Sequence, residues 1–235
     1  MQRLLITVLL VFLFGKISAQ QVLLNRNVLA DTIKPHWGQN MRHFAHPYIG
    51  LGIMAGPSST TGGKILYGVS PNLEIGVRYK LKIARHYALG CNLSYNLYSY
   101  KLKQNTLKTL PDTVVHKAER LLFSNLTLGI FYRVSLGRTG NYIGKFVDLG
   151  MYGDWVHYAD HYTRDKLTDG STARLHVSGL NYINDIQYGF FGHFGISRFV
   201  FTVKYRMANL FPDNKNYPEL PRWTFGMQLG LHKIN

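Results

Sequence analysis

The stretch NLEIGVRYKLKI, residues 72–83, alternates between two kinds of side chain along its whole length. Its odd positions are apolar or aromatic, and its even positions carry glycine, asparagine and charged residues. Successive side chains of a β-strand point to opposite faces, so the pattern predicts a strand with one apolar and one charged face. A soluble sheet would bury the apolar face, whereas a membrane barrel would turn it to lipid and enclose the charges. The orientation of this strand decides the class of fold.

The same alternation recurs in seven other stretches: 48–55, 87–99, 122–133, 146–158, 185–196, 199–207 and 222–232. The connections between them alternate in length. Three are short, 84–86, 136–142 and 197–198, and four are long, 56–70, 101–118, 159–181 and 209–220. Short periplasmic turns and long outer loops are typical of bacterial outer-membrane barrels. The sequence therefore predicts an all-β protein, an eight-stranded antiparallel up-and-down transmembrane β-barrel.

The glycines favour this barrel over a soluble calyx of the lipocalin kind, whose interior is apolar. Ten of them share the polar face of the predicted strands: Gly50, Gly52, Gly76, Gly90, Gly129, Gly150, Gly189, Gly195, Gly226 and Gly230. The lumen of an eight-stranded barrel is only wide enough for side chains to fill, so small residues are expected inside it. Aromatic residues near strand ends on the apolar face suit two interfacial girdles: Tyr87, Tyr132, Trp155 and Trp223.

The polar face carries charges of both signs, which we expect to form a network in the lumen. Its acidic members are Glu74, Asp148, Asp154 and Asp185, and its basic members are Arg78, Lys80, Lys82, Arg133, Lys204, Arg206 and Arg222. Unpaired charge is costly to bury, so the charges should pair in a packed interior. The alternative is a narrow ion-conducting pore lined by the basic excess.

The first 19 residues, MQRLLITVLLVFLFGKISA, predict a cleavable secretory signal peptide. Arg3 precedes an apolar run, 4–14, that is too short to cross a bilayer as a helix, and we expect cleavage after Ala19. Residues 20–46 are then a periplasmic arm, and residues 47–235 the barrel. Cys91 is the only cysteine, which excludes an intramolecular disulfide framework.

The formal net charge is +15. In an exported protein such a charge favours anionic lipid head groups over nucleic acid as partners. The loops contribute a basic set that is either solvated or in contact with lipopolysaccharide phosphates: Lys101, Lys103, Lys108, Lys117, Arg164, Lys166, Arg174 and Lys215.

With these features together, the chain resembles the small outer-membrane barrels of the OmpA/OmpX type and the outer-membrane β-barrel proteins common in Bacteroidota, including the PorT-like group. The resemblance covers about residues 47–234 and rests on the signal peptide, the eight amphipathic strands and the asymmetric loops. We expect a non-enzymatic protein of the cell outer membrane, without a cofactor or metal. Its role would be structural, in surface interaction, or as a subunit beside other envelope proteins.

Two groups of residues could carry chemistry instead. The histidines His36, His43 and His46, and His157 and His161 around Asp160, lie in segments that read as strand or loop, where a spacing of four does not gather metal ligands. Lipid A deacylases of the outer membrane use a His-x-Ser-Asn stretch with a carboxylate, and LHVSGLN (175–181) is similar through His176 and Ser178. Gly179 replaces the asparagine and no acidic partner is evident, so a lipid A-modifying hydrolase is the second alternative.

Overall fold

The computed structural model describes residues 37–56, 61–136, 143–212 and 217–232. The predicted signal peptide, most of the predicted arm, His36 and Lys215 lie outside the described residues. The described chain is all-β apart from one 3-10 turn, Thr61–Gly63. Its strands are β1 His43–Ala55, β2 Pro71–Lys82, β3 Tyr87–Lys101, β4 Ala118–Leu136, β5 Lys145–Lys166, β6 Thr172–Ser178, β7 Ile186–Ile196, β8 Phe199–Arg206 and β9 Trp223–Gly230. Among these residues no helix is long and apolar enough to span a membrane.

Eight of the strands form a closed antiparallel ring. β1 pairs with β2 and β9, and the pairing of β4 with β5 completes the circle. All eight predicted strands are members of the ring. The prediction of eight strands in total is wrong by one, because β6 pairs with the last part of β5 over residues predicted to be a loop. The first strand also begins earlier than predicted, at His43.

The predicted orientation of residues 72–83 is confirmed. Val77 is 52% exposed on the outside of the ring, whereas its neighbour Arg78 is 1% exposed inside it. The other strands repeat this arrangement, so large apolar side chains cover the outer surface: Leu51, Ile75, Leu93, Leu128, Leu149, Ile186 and Phe201 among them. The molecule is inverted relative to a soluble sheet protein.

Interior glycines make room for large aromatic side chains on neighbouring strands. Gly195 of β7 lies opposite Phe146 of β5, and a Cβ added to it would overlap the phenyl ring. Gly90 of β3 is related in the same way to Phe131 of β4. The glycines therefore have the predicted role: as small residues they leave space for larger side chains in a narrow lumen.

One irregularity divides the long β4–β5 pair into two parts. Ser124 lies opposite Tyr158 and Asn125 lies opposite Val156, so His157 is the extra residue of a β-bulge. Because side chains alternate with a period of two, one extra residue exchanges the faces of β5. Trp155 is therefore outside with the odd positions before the bulge, while Tyr158 is outside with the even positions after it.

Beyond the bulge the sheet continues as three strands, which we call the extension: residues 118–124, 158–166 and 172–178. Its inner face joins the long loops in an apolar cluster at that end of the ring. The cluster consists of Met54, Ile65, Tyr98, Tyr100, Leu102, Leu110, Leu121, Phe123, Val156, Ala159, Ile183, Leu210, Phe211 and Leu220. This end of the molecule is thus closed by a hydrophobic core of ordinary type.

Candidate functional site

Glu74 is the centre of the first polar group inside the ring. Its Oε2 atom lies 3.0 Å from Lys204 Nζ and accepts a hydrogen bond of 2.9 Å from Gln228 Nε2. Its Oε1 atom accepts hydrogen bonds from the Tyr48 hydroxyl at 2.9 Å and the Ser94 hydroxyl at 3.0 Å. The carboxylate is therefore fully engaged, as a buried charge requires.

A second group joins Arg133 and Asp148. The guanidinium binds the carboxylate through two parallel hydrogen bonds, Nε to Oδ1 at 2.7 Å and Nη2 to Oδ2 at 2.8 Å. The Arg133 guanidinium also lies over the Phe146 ring, 3.6 Å from its centroid, and His193 Nδ1 is 3.3 Å from Asp148 Oδ2. A bidentate pair of this kind holds both side chains in one geometry.

The remaining interior charges bind neutral groups or lie towards the ends of the ring. Asp154 accepts a hydrogen bond of 2.5 Å from the Thr127 hydroxyl. Arg78 donates to Gln228 Oε1, also at 2.5 Å. At the ends, Lys80 and Lys82 donate to backbone carbonyls of Gln39 and Asn40, and Arg206 forms an ion pair of 3.1 Å with Glu219.

Two predicted members of the network lie outside it. Asp185 is exposed just before β7, and Arg222 precedes β9 and donates to Asn209 Oδ1 at the rim. Both predictions are wrong for the same reason, since each residue had been counted into a strand that begins one position later. Sequence reasoning missed four neutral participants, although they share the inward positions of their strands: Tyr48, Ser94, His193 and Gln228.

The interior is packed. The cavity beside Glu74 and Lys204 and the cavity beside Asp154 and Arg206 have volumes of about 10 Å³ each. A single water molecule needs roughly 10–15 Å³. The geometry of the described interior therefore favours a salt-bridged filling over an ion pathway.

The predicted aromatic residues all lie on the outer surface, near the ends of the ring. Tyr87 stacks on Tyr132 with ring centroids 5.8 Å apart, and Trp223 packs on Tyr205 at 4.7 Å. On β3, Tyr87 and Tyr95 point outward eight residues apart. That spacing corresponds to about 26 Å along a strand, or about 20 Å in height at a tilt near 40°, similar to the apolar band of membrane barrels.

The second long loop is fastened by a buried lysine. Lys108 had been counted among the solvated or lipid-contacting loop residues, and this prediction is wrong, because the side chain is buried between two carboxylates. Its Nζ atom lies 3.0 Å from Asp112 Oδ1 and 2.5 Å from Glu119 Oε2. His161 Nε2 approaches the other oxygen of Glu119 at 2.7 Å.

Ligand atoms of Asp112, His116 and Glu119 lie within 4.8 Å of one another, a spacing that could hold a metal ion. The Lys108 ammonium already supplies a cation between the two carboxylates. Burial tends to raise the pKa of Asp112, but the hydrogen bond and charge of Lys108 and the hydrogen bond from the Val114 backbone N–H together outweigh it, and the pKa lies below its usual value. We therefore interpret the group as an ion-pair cluster that fixes the loop.

The His176–Ser178 pair lies exposed on β6, and β5 brings a carboxylate to it that the sequence did not reveal. Ser178 Oγ is 3.0 Å from His176 Nε2, and Asp160 Oδ2 is 3.6 Å from the same nitrogen. A catalytic triad requires the serine and the carboxylate on different ring nitrogens, since one must accept a proton while the other donates. The described geometry is not that of an activated serine.

The other histidines make separate contacts. His43 Nδ1 lies 2.7 Å from the Tyr79 hydroxyl, and the His43 ring stacks on Trp37. His46 is buried inside the ring and packs on Phe44 and His232. His157 is the bulge residue, beside Tyr158.

No protein-family model matches this chain, and no curated protein shows significant similarity to it. The resemblance to small outer-membrane barrels stays a prediction, and the functional argument rests on the geometry.

Proposed function

We propose that this chain is a non-enzymatic, integral β-barrel protein of the bacterial outer membrane. The observation that carries the proposal is the inverted ring, with apolar side chains outside and charged side chains inside. Water would penalise such an outer surface at roughly 25 cal/mol for each Å² of apolar area, whereas lipid would not. A closed ring also satisfies the backbone hydrogen bonds of its strands, as a bilayer demands.

The orientation follows from the two ends. The long loops and the extension would face the cell exterior, and the short turns such as 84–86 would face the periplasm. The predicted signal peptide supplies the export route that this location requires. Residues near the aromatic side chains at both ends would lie at the two lipid–water interfaces.

The packed interior directs the role away from transport. With two buried ion pairs inside the ring and the apolar cluster closing one end, the structure supports a structural or surface-interaction role, or a place as a subunit of a larger envelope complex. The loops and the extension are then the parts that meet partners.

The first test is membrane integration. The protein expressed with its N-terminal segment in a Gram-negative host should stay in the outer-membrane pellet after carbonate washing. In detergent it should give a gel band that shifts on boiling. Recovery of folded protein from the periplasm without detergent would contradict the barrel.

The second test separates the two alternatives. Planar-bilayer recording should give no conductance above that of the lipid alone, and stepwise currents would support the narrow pore. Mass spectra of lipid A from cells with and without the gene should be identical. Loss of an acyl chain that depends on Ser178 would support the hydrolase.

A further inference from the structure

The outer face of the extension carries three arginines on three adjacent strands. Arg164 of β5 lies directly opposite Arg174 of β6, and Arg120 of β4 lies opposite Tyr162, two residues away from Arg164. All three are exposed. Side chains directly opposite each other share a face, with Cβ atoms about 5 Å apart, and diagonal neighbours are about 7–8 Å apart. The three guanidinium groups are therefore held within reach of one small ligand.

These arginines are not neutralised by other residues that the structure describes. Within the described part of the chain, none of the three makes a hydrogen bond or an ion pair. The outward carboxylate of the same strand, Asp160, faces His176 at 3.6 Å, and Asp165 is bound by His116 at 2.7 Å. Like charges directly opposite each other destabilise a strand pair. An anion from outside would relieve this repulsion, which is a second and independent indication of a ligand.

The position of the arginines indicates where the anion comes from. Tyr158 belongs to the outward aromatic level next to the apolar band, and Tyr162, opposite Arg120, lies four residues further along β5. Four residues correspond to about 13 Å of strand, or about 10 Å in height at a tilt near 40°. Arg120 is thus above the apolar band, on the side where the polar head groups lie, with the long arginine side chain able to extend towards them.

Arginine is the side chain best suited to phosphate, because its planar fork donates two parallel hydrogen bonds to two phosphate oxygens. A phosphomonoester carries close to two negative charges at neutral pH. We propose that Arg120, Arg164 and Arg174 form a binding site for the phosphate groups of a phosphorylated glycolipid in the outer leaflet. The site rests on the proposed function, because the height argument assumes that the ring spans the membrane.

The test uses the full chain folded in zwitterionic detergent micelles, with diphosphorylated lipid A as the probe and native mass spectrometry as the readout. Arg164→Ser/Arg174→Ser should weaken lipid A binding at least about tenfold, since it removes two forked donors. The matched control is Lys64→Ser/Lys103→Ser. It removes the same charge from two exposed lysines that are also neighbours, with Lys103 N bonded to Lys64 O at 2.8 Å. The control variant should bind like the wild type.

Three results would overturn the site: equal losses in the two variants, undiminished binding of dephosphorylated lipid A, or full displacement of lipid A by millimolar inorganic phosphate. The first would reduce the effect to overall charge, the second would exclude the lipid phosphate as the bound group, and the third would show that the arginines take free phosphate and not the glycolipid. The boiling-dependent gel shift of each variant is measured in parallel. A wild-type protein without this shift contradicts the proposed barrel, whereas normal shifts with equal lipid binding contradict the arginine site alone.

Discussion

The β4–β5 pair can be compared with itself on either side of the bulge at His157. Below the bulge Leu128 and Trp155 are outside, and Thr127 and Asp154 are inside. Above it the arrangement is reversed: Arg120, Tyr162 and Arg164 are outside, and an apolar cluster that includes Leu121 and Phe123 is inside.

The upper part therefore follows the rule of soluble proteins, and the lower part follows the opposite rule. Neighbouring segments of the same two strands differ in this way only if their surroundings differ. On our proposal the lower part meets lipid and the upper part meets water, with the boundary near Trp155 and Tyr158. The following predictions test this boundary, from the largest expected effect to the smallest.

The largest effect is expected from breaking an interior ion pair. Arg133→Met removes the bidentate partner of the buried Asp148 carboxylate and leaves it the hydrogen bond with His193, which should lower the free energy of unfolding by about 3–5 kcal/mol. The measurement is urea unfolding in detergent micelles. The folded fraction at each urea concentration is the fraction of protein whose gel band still shifts on boiling. The double variant Arg133→Met/Asp148→Leu should recover most of the loss. An Arg133→Met protein as stable as the wild type would show that the interior is open to water.

The next effect compares the two outer environments with one type of substitution. Val77→Arg places a charge on the outer surface of the ring and should cost about 2–4 kcal/mol if the side chain lies near the membrane midplane. Ser178→Arg, at an exposed position on the outer face of the extension opposite Asp160, should change stability by no more than about 0.5 kcal/mol. Folding into phospholipid vesicles measures both. Equal costs would contradict a boundary between the two positions.

A smaller loss of stability is expected when an inward-facing glycine, but not an outward-facing one, is replaced by leucine. Gly195→Leu has no room beside Phe146 and should cost about 1–3 kcal/mol through overpacking. Gly153 points outward with no atom within 4 Å of an added Cβ, so Gly153→Leu should be neutral. Chemical unfolding of the two variants in the same micelles gives the difference. Overpacking at Gly153 instead would mean that the two faces are assigned the wrong way round.

The smallest effect concerns the loop above the boundary. A hydrogen bond from His116 holds the pKa of Asp165 below its usual value, and Lys108 has the net effect of lowering that of Asp112. Contacts of carboxyls with lowered pKa values contribute fully above the ordinary carboxyl pKa near 4 and are lost as the pH falls through the lowered values.

The loop 103–117 should therefore be protected at pH 4.5 and should loosen as the pH falls below about pH 4, while the ring stays folded. Pepsin cleavage at pH 4.5 and pH 2.5, normalised with a peptide substrate, measures the change. Unchanged cleavage inside the loop would show that these ion pairs do not hold it.

Where the chain meets one environment along a whole strand, alternation was enough to predict the structure. Residues 72–83 and the seven similar stretches all lie in the ring, and the inward position of Arg78 and the outward position of Val77 followed from parity together with the glycines on the charged face. The same parity rule missed the extension. One extra residue at His157 reverses the pattern, and beyond it polar side chains on the outside remove the contrast by which a strand of the ring is recognised.

The sequence by itself determined the class of fold, because period-two alternation with glycines on the charged face is compatible with few arrangements other than an inverted ring. Only the tertiary structure decided which charges meet. Two of the partners of Glu74, Lys204 and Gln228, lie 130 and 154 positions further along the chain. Arg164 lies opposite Arg174 because of the register of the β5–β6 hairpin. The register between strands depends on the closure of the ring and on the single bulge in β5. Both depend on how all the strands pair together, which no single stretch of sequence specifies.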